Sequence, residues 1–172
     1  GSTGTTASDN LKISIIDDVP DAENDAIVSG APGTVNLVLV LDSSGSIGTA
    51  NMNLIKNAVT NLMNSYGESL VKVMLVDFDD TATVKSVSGQ VWLSKPQAIS
   101  QLSGISSGGT TDYDDALAAV QSNYGTPPVA DNTYVFFVSD GEPNPSSDGI
   151  NAAERSAWVN FLTTNRIDGV YE

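Results

Sequence analysis

The sequence predicts an α/β fold: a doubly wound, mostly parallel sheet with helices on both faces. Three observations carry this. Residues 35–41 (VNLVLVL) and 71–78 (VKVMLVDF) are aliphatic runs of the kind that form strands buried on both faces of a parallel sheet, and Tyr134–Val138 is another. The stretches between them carry apolar residues at spacings of three and four, the helical period. Finally, the first and last of these runs end in polar clusters, Asp42-Ser-Ser-Gly-Ser46 and Asp140-Gly141. Those are the carboxyl ends of strands, where open α/β sheets bind their ligands.

Taken in order, residues 1–30 are expected to be a leader or linker. Residues 1–10 are small and polar, LKISII (11–16) alternates as a strand does, and DDVPDAEND (17–25) interrupts it with charge and Pro20. The main domain is expected over 31–172, entered through the turn-rich SGAPGT (29–34). After the first core strand, Met52, Ile55, Val59, Leu62, Met63 and Tyr66 line one face of a helix over 51–66, with Gly67 as its stop. Strand 71–78 is followed by a third, alternating strand at 82–88. The short DDT link between them makes a hairpin, with the third strand antiparallel at the sheet edge. A helix is expected over 94–103, with Ser94 as cap and Pro96 in its first turn. The Gly-rich loop at 105–111 enters a helix that points Leu117 and Val120 inward. Strand 133–139 comes next, then a helix over 151–165 burying Ala153, Ala157, Phe161 and Leu162. The closing GVYE has the character of a further strand. The last strands of the sheet are therefore expected to be missing or supplied by another segment, leaving 133–139 with an apolar edge.

Composition narrows the chemistry. A chain of 172 residues with 40% hydrophobic content can bury one substantial core. A formal charge of −14 excludes nucleic acid and anionic membrane surfaces as partners. There is no Cys, hence no disulfide, thiolate nucleophile or Cys-ligated zinc. There is no His, hence no Ser-His-Asp triad and none of the usual transition-metal ligand. A metal held by this chain is a hard cation held by oxygens. No apolar run approaches the roughly 20 residues of a membrane span.

If the 35–41 and 133–139 strands are neighbours across the topological switch point, Asp42 and Asp140 face each other beside Ser44 and Ser46. Each element has a plainer explanation by itself. A serine after a strand is often a helix cap, and Asp-Gly is often a turn. A phosphate cradle is excluded, because neither GxxxxGK[ST] nor GxGxxG is present and Asp42 would repel phosphate. Asp77, Asp79 and Asp80 do not form an EF-hand loop, since Ala82 stands where Gly is needed and Ser88 where Glu is needed. Asp112, Asp114 and Asp115 suit a helix N-terminus. Ser69-x-x-Lys72 enters a strand, where a Ser-Lys catalytic motif needs the start of a helix. Trp92 and Trp158 are expected as packing residues.

The pattern Asp42-x-Ser44-x-Ser46, followed by a Thr from the 108–111 loop and by Asp140, resembles the metal-ion-dependent adhesion site of von Willebrand factor type A domains. The resemblance covers about 35–172 and implies that family's Rossmann-like fold. It implies that Ser44, Ser46 and a threonine hydroxyl ligate a divalent cation, Mg²⁺ or Ca²⁺, while Asp42 and Asp140 act through water or hydrogen bonds. The family threonine lies six residues before an aliphatic on the following helix. This selects Thr111, six before Leu117, with the adjacent Thr110 as the alternative. Hydroxyl ligands leave the cation's charge incompletely neutralised, so one open position attracts a carboxylate from a protein or other partner. The resemblance thus implies a non-enzymatic adhesion module. The leader LKISIIDDVPDA also resembles the ends of immunoglobulin-like repeats in large bacterial repeats-in-toxin adhesins, which implies an extracellular, cell-surface setting. The competing readings are an intracellular assembly subunit of the same fold working with an ATPase, and a Mg²⁺-dependent hydrolase with Asp42 as nucleophile. The latter lacks the second Asp such phosphatases carry two residues on.

Overall fold

The structure is a computed structural model and describes residues 33–172. The 1–30 leader, with its expected strand at 11–16, lies outside the described residues. The elements run β1 (Val35–Asp42), α1 (Gly48–Asn64), β2 (Val71–Phe78), β3 (Ala82–Val84), β4 (Trp92–Ser94), α2 (Lys95–Ser103), α3 (Tyr113–Asn123), β5 (Asn132–Val138), a 3₁₀ turn (Ser146–Asp148), α4 (Ala152–Thr164) and β6 (Gly169–Tyr171). The strand order is β3-β2-β1-β5-β6, with β4 also paired to β2. β1 is parallel to both its neighbours, with Leu39 opposite Leu75 on one side and Phe136 on the other. All eight of its residues are buried, as its aliphatic run requires.

Alternation along β1 divides the core in two. Val35, Leu37, Leu39 and Leu41 face α1 and α2, meeting Met52, Val59 and Met63 of the first and Ala98 and Leu102 of the second. Val38 and Val40 face the other way, onto Tyr113, Ala116, Leu117 and Val120 of α3. Helices therefore cover both faces of a mostly parallel sheet, the fold class the sequence predicts. Ser94 caps α2 in a reciprocal pair with Gln97 and Pro96 lies in the first turn, as expected.

Several expectations need correction. Helix α1 starts at Gly48 rather than Asn51, because its first turn (Gly-Thr-Ala) carries no large apolar side chain to register the period. It closes on Ser65, whose N–H bonds the carbonyls of Asn61 and Leu62, so Gly67 is not its stop. The third strand spans only 82–84. The chain then turns at Ser88 and Gly89, both at positive φ, and returns as β4. β3 covers Val76–Phe78 and β4 covers Lys72–Met74, so two short antiparallel pieces share one edge of β2. In α4 the contact face is Trp158, Phe161 and Leu162, all half-buried, while Ala153 and Ala157 are exposed. Trp158 stacks on Phe161 (5.2 Å between centroids), and these large side chains take the contact side in place of the alanines. Nor is β5 the bare edge. β6 pairs with it in parallel, placing Gly169 opposite Tyr134 and Tyr171 opposite Phe136. The Phe136 and Tyr171 rings stack at 4.9 Å.

Among the described residues no helix is long and apolar enough to cross a membrane. Because β1 is bonded on both edges and buried on both faces, a cavity at its centre has no surface route to collapse. Leu39→Ala is expected to lower unfolding free energy by about 2–5 kcal/mol, measured by urea denaturation.

Candidate functional site

The alternation that organises the core also aims the first carboxylate. Asp42 continues the Val38, Val40 series toward α3, and Ser139 continues the Val135, Phe137 series on β5. Leu41 pairs with Val138, so Asp42 arrives beside Ser139. Asp42 is fully buried. Its Oδ1 accepts the Ser44 N–H at 2.7 Å, an Asx turn that bends the chain off the strand. Its Oδ2 accepts the Ser139 hydroxyl. The Ser139 oxygen lies 2.8 Å from the Tyr113 hydroxyl, which also donates to the Gly141 carbonyl. Burial pushes the Asp42 carboxyl above its ordinary value, against the hydrogen bonds from Ser139 and Ser44 that draw it down. Burial likewise pushes the Tyr113 phenol up, so it stays protonated.

The loop after β1 is held by the Gly-rich loop before α3. The Gly108 N–H donates to the Ser43 carbonyl at 2.7 Å and the Gly45 N–H to the Gly109 carbonyl at 3.0 Å. The Ser107 hydroxyl donates to the Ser44 carbonyl at 2.6 Å and accepts from the Gly48 N–H at 3.0 Å. That clamp leaves the two serine side chains free for each other. Ser44 and Ser46 hydroxyls lie 3.0 Å apart, and Ser46 donates to Asp140 Oδ1 at 3.0 Å. Neither caps α1: its N-cap is Ile47, whose side chain makes no capping hydrogen bond, and its first N–H goes to Ser107. The capping explanation for Ser46 therefore fails here.

The two threonines have different duties. Asp80 Oδ1 accepts both the N–H and the hydroxyl of Thr110, the latter at 2.7 Å, and these bonds, the hydroxyl first, hold Asp80 below its ordinary value. Gly109 passes beneath Asp80 at φ +74°, where an added Cβ would lie 2.8 Å from Asp80 Oδ1, so only glycine fits. Thr111 is 5% exposed, and its backbone exchanges hydrogen bonds with Asn144 at 3.2 and 3.0 Å, tying this loop to the one after β5. Thr110 is thus committed to Asp80, and Thr111 sits in the inner wall.

Ser44, Ser46, Thr111, Asp140, Glu142 and Asn144 are among the residues that line a cavity of about 220 Å³ at the carboxyl end of the sheet. Among the described residues no Lys or Arg lines it. All five predicted site residues, Asp42, Ser44, Ser46, Thr111 and Asp140, come together, with Asp42 behind the wall and the other four in it. Among the described residues no three His, Cys, Asp or Glu side chains converge as a metal-binding group. The side chains that converge here are instead hydroxyls backed by carboxylates.

Asp112, Asp115 and Asp77 make structural contacts outside the crevice. Asp112 caps α3 by accepting the Asp115 N–H, and Asp115 accepts the Ala82 N–H at 2.6 Å, pinning β3 to the helix. Asp114 is pushed up to about 6, chiefly by its hydrogen bond with Asp112. Asp77 pairs with Lys85 at 2.8 Å. Sequence reasoning missed Ser139, Tyr113, Asp80, Ser107 and Asn144. Ser139 was within reach, because the period-two series through Val135 and Phe137 leads to it. The others depend on loop contacts with no local signature.

The family model for the von Willebrand factor type A domain matches residues 36–163. The chain belongs to this family. Among solved structures, the type A domain is similar to a von Willebrand factor type A protein from Catenulispora acidiphila (TM-score 0.62, 19% identity, 81% of this chain and 32% of that one). It is also similar to manganese-loaded TRAP from Plasmodium vivax (TM-score 0.58, 26% identity, 80% and 56%). A third is the corresponding domain of the type V pili tip protein Mfa5 from Porphyromonas gingivalis (TM-score 0.52, 18% identity, 66% and 40%). This type A domain therefore spans between about a third and somewhat over half of those chains. Among curated protein sequences none matches it.

Because burial raises the folded-state value of Asp42 above its ordinary 3.8, the folded domain holds that proton to higher pH than the unfolded chain. The stability this confers is full at acid pH and is lost as pH rises through the raised value. Asp42→Asn is expected to remove that loss, so that in EDTA the variant is more stable than wild type at pH 7 but not at pH 4, measured by chemical denaturation.

Proposed function

We propose that the crevice holds a divalent cation and that the domain is the ligand-binding module of an extracellular bacterial adhesin. One observation carries the reading: Ser44, Ser46 and Asp140 are hydrogen-bonded to one another across two strands instead of serving local capping roles. The donor set fits a hard cation. It is made only of oxygens, no Lys or Arg among the described residues competes, and carboxylates stand beside and behind the hydroxyls. Ser44, Ser46 and Thr111 would hold the ion, with Asp42 and Asp140 orienting hydroxyls or bound water. The bound ion would act as a Lewis acid with an open position for a partner's carboxylate.

The same geometry argues against catalysis. No His or Cys is available as base or nucleophile, and Asp42 lies fully buried behind Ser44 and Ser139, out of reach of a substrate. The adhesin setting is supported by the likeness of the leader to repeats-in-toxin adhesins. It is supported also by similarity to a domain of a pilus tip protein, while manganese in the TRAP structure, the likeness with the highest identity of the three described, supports the cation. An acidic, Cys-free chain is compatible with that setting.

Isothermal calorimetry with Mg²⁺, Mn²⁺ and Ca²⁺ tests the cation. Wild type is expected to bind one ion, and cation at 100 times Kd should raise stability by about 2.7 kcal/mol. Asp42→Ala and Ser46→Ala should bind at least about tenfold more weakly. Equal binding by wild type and both variants removes the crevice as the site.

A further inference from the structure

The hydroxyl chain behind Asp42 carries an inference about the same crevice, and it rests on the cation reading above. The Tyr113 ring is wedged edge-on between Phe78 (5.9 Å between centroids) and Phe137 (5.3 Å), and the residue is 4% exposed. Its hydroxyl is therefore delivered to one place by packing. There it meets the Ser139 hydroxyl at 2.8 Å and the Gly141 carbonyl, while Ser139 donates to Asp42 Oδ2. Through Ser139 the phenol reaches the end of β1, and through Gly141 it reaches the turn that carries Asp140. Its own backbone lies two residues beyond Thr111. The three segments bearing the proposed donors are thus joined at one buried hydroxyl.

We propose that Tyr113 and Ser139 are positioning residues of the cation site: the Asp42–Ser139–Tyr113–Gly141 chain sets the spacing of the β1 loop, the Thr111 loop and the Asp140 turn before the ion arrives. Donors fixed in advance do not have to be ordered on binding, so affinity depends on groups that never touch the ion. A plain packing role for Tyr113 makes a different prediction. Its ring contacts survive replacement by Phe, and only the hydroxyl is lost.

The test is Mn²⁺ and Mg²⁺ calorimetry on the whole chain, with metal-free thermal unfolding recorded for each variant. Tyr113→Phe and Ser139→Ala are expected to weaken Kd by about 10- to 100-fold while unfolding as cooperatively as wild type in EDTA. Ser139→Thr keeps a hydroxyl and should restore affinity toward wild type. Tyr124→Phe deletes a hydroxyl at the far end of the same helix and should leave Kd unchanged. If Tyr113→Phe does not fold, the Ser139→Ala and Ser139→Thr pair decides alone. Wild-type affinity in Tyr113→Phe and Ser139→Ala, with Asp42→Ala still defective, overturns the positioning role and leaves the cation site standing. Absence of cation binding by wild type overturns both.

Discussion

The arrangement depends on the parallel pairing of β1 with β5. These strands are separated by about ninety residues of chain, yet their register sets Leu41 against Val138 and so puts Asp42 beside Ser139, one residue before Asp140. No local preference brings those groups together. Burial of β1 on both faces, between α1 and α2 on one side and α3 on the other, enforces the pairing. A one-residue slip would turn Asp42 toward α1 and put Leu41 in its place. The hydrophobic core and the polar crevice are therefore consequences of one register.

Above that register the crevice is built by exchange of hydrogen bonds between loops. The β1 loop is clamped to the Gly-rich loop through Gly45, Ser107 and Gly108, and that loop is tethered through Thr110 to Asp80 and through Thr111 to Asn144. With backbone groups satisfied in this way, the side chains of Ser44, Ser46 and Asp140 are left to one another. Among the described residues no Lys or Arg lines the crevice, and its deepest carboxyl is held above its ordinary value by burial.

Much of this was legible in the sequence, for identifiable reasons. The 35–41 and 71–78 runs are apolar on both faces, so strand, burial and parallel pairing could all be read from them. Ser94 with Pro96, and Leu117 with Val120, are local signals that the structure keeps. What escaped is non-local or weakly patterned. β4 is three residues long and exists because it finds the edge of β2. The alanines of α4 fit an inward stripe by spacing, but Trp158 and Phe161 take the contact face because they have more surface to bury. The strand character of GVYE was legible, but its parallel pairing with β5, which covers the edge expected to be bare, was not. At the site, the resemblance supplied the five residues, whereas the Ser139–Tyr113 chain behind them emerges only from three-dimensional contacts.

The proposed function turns on where a dication sits. The most direct measurement is anomalous diffraction at the manganese edge from crystals grown with Mn²⁺. The account predicts a peak in the crevice within bonding distance of the Ser44 and Ser46 hydroxyls, on the side facing Thr111. A crevice without a peak at saturating Mn²⁺, or a peak only at the Asp112 and Asp114 carboxylates, would contradict it.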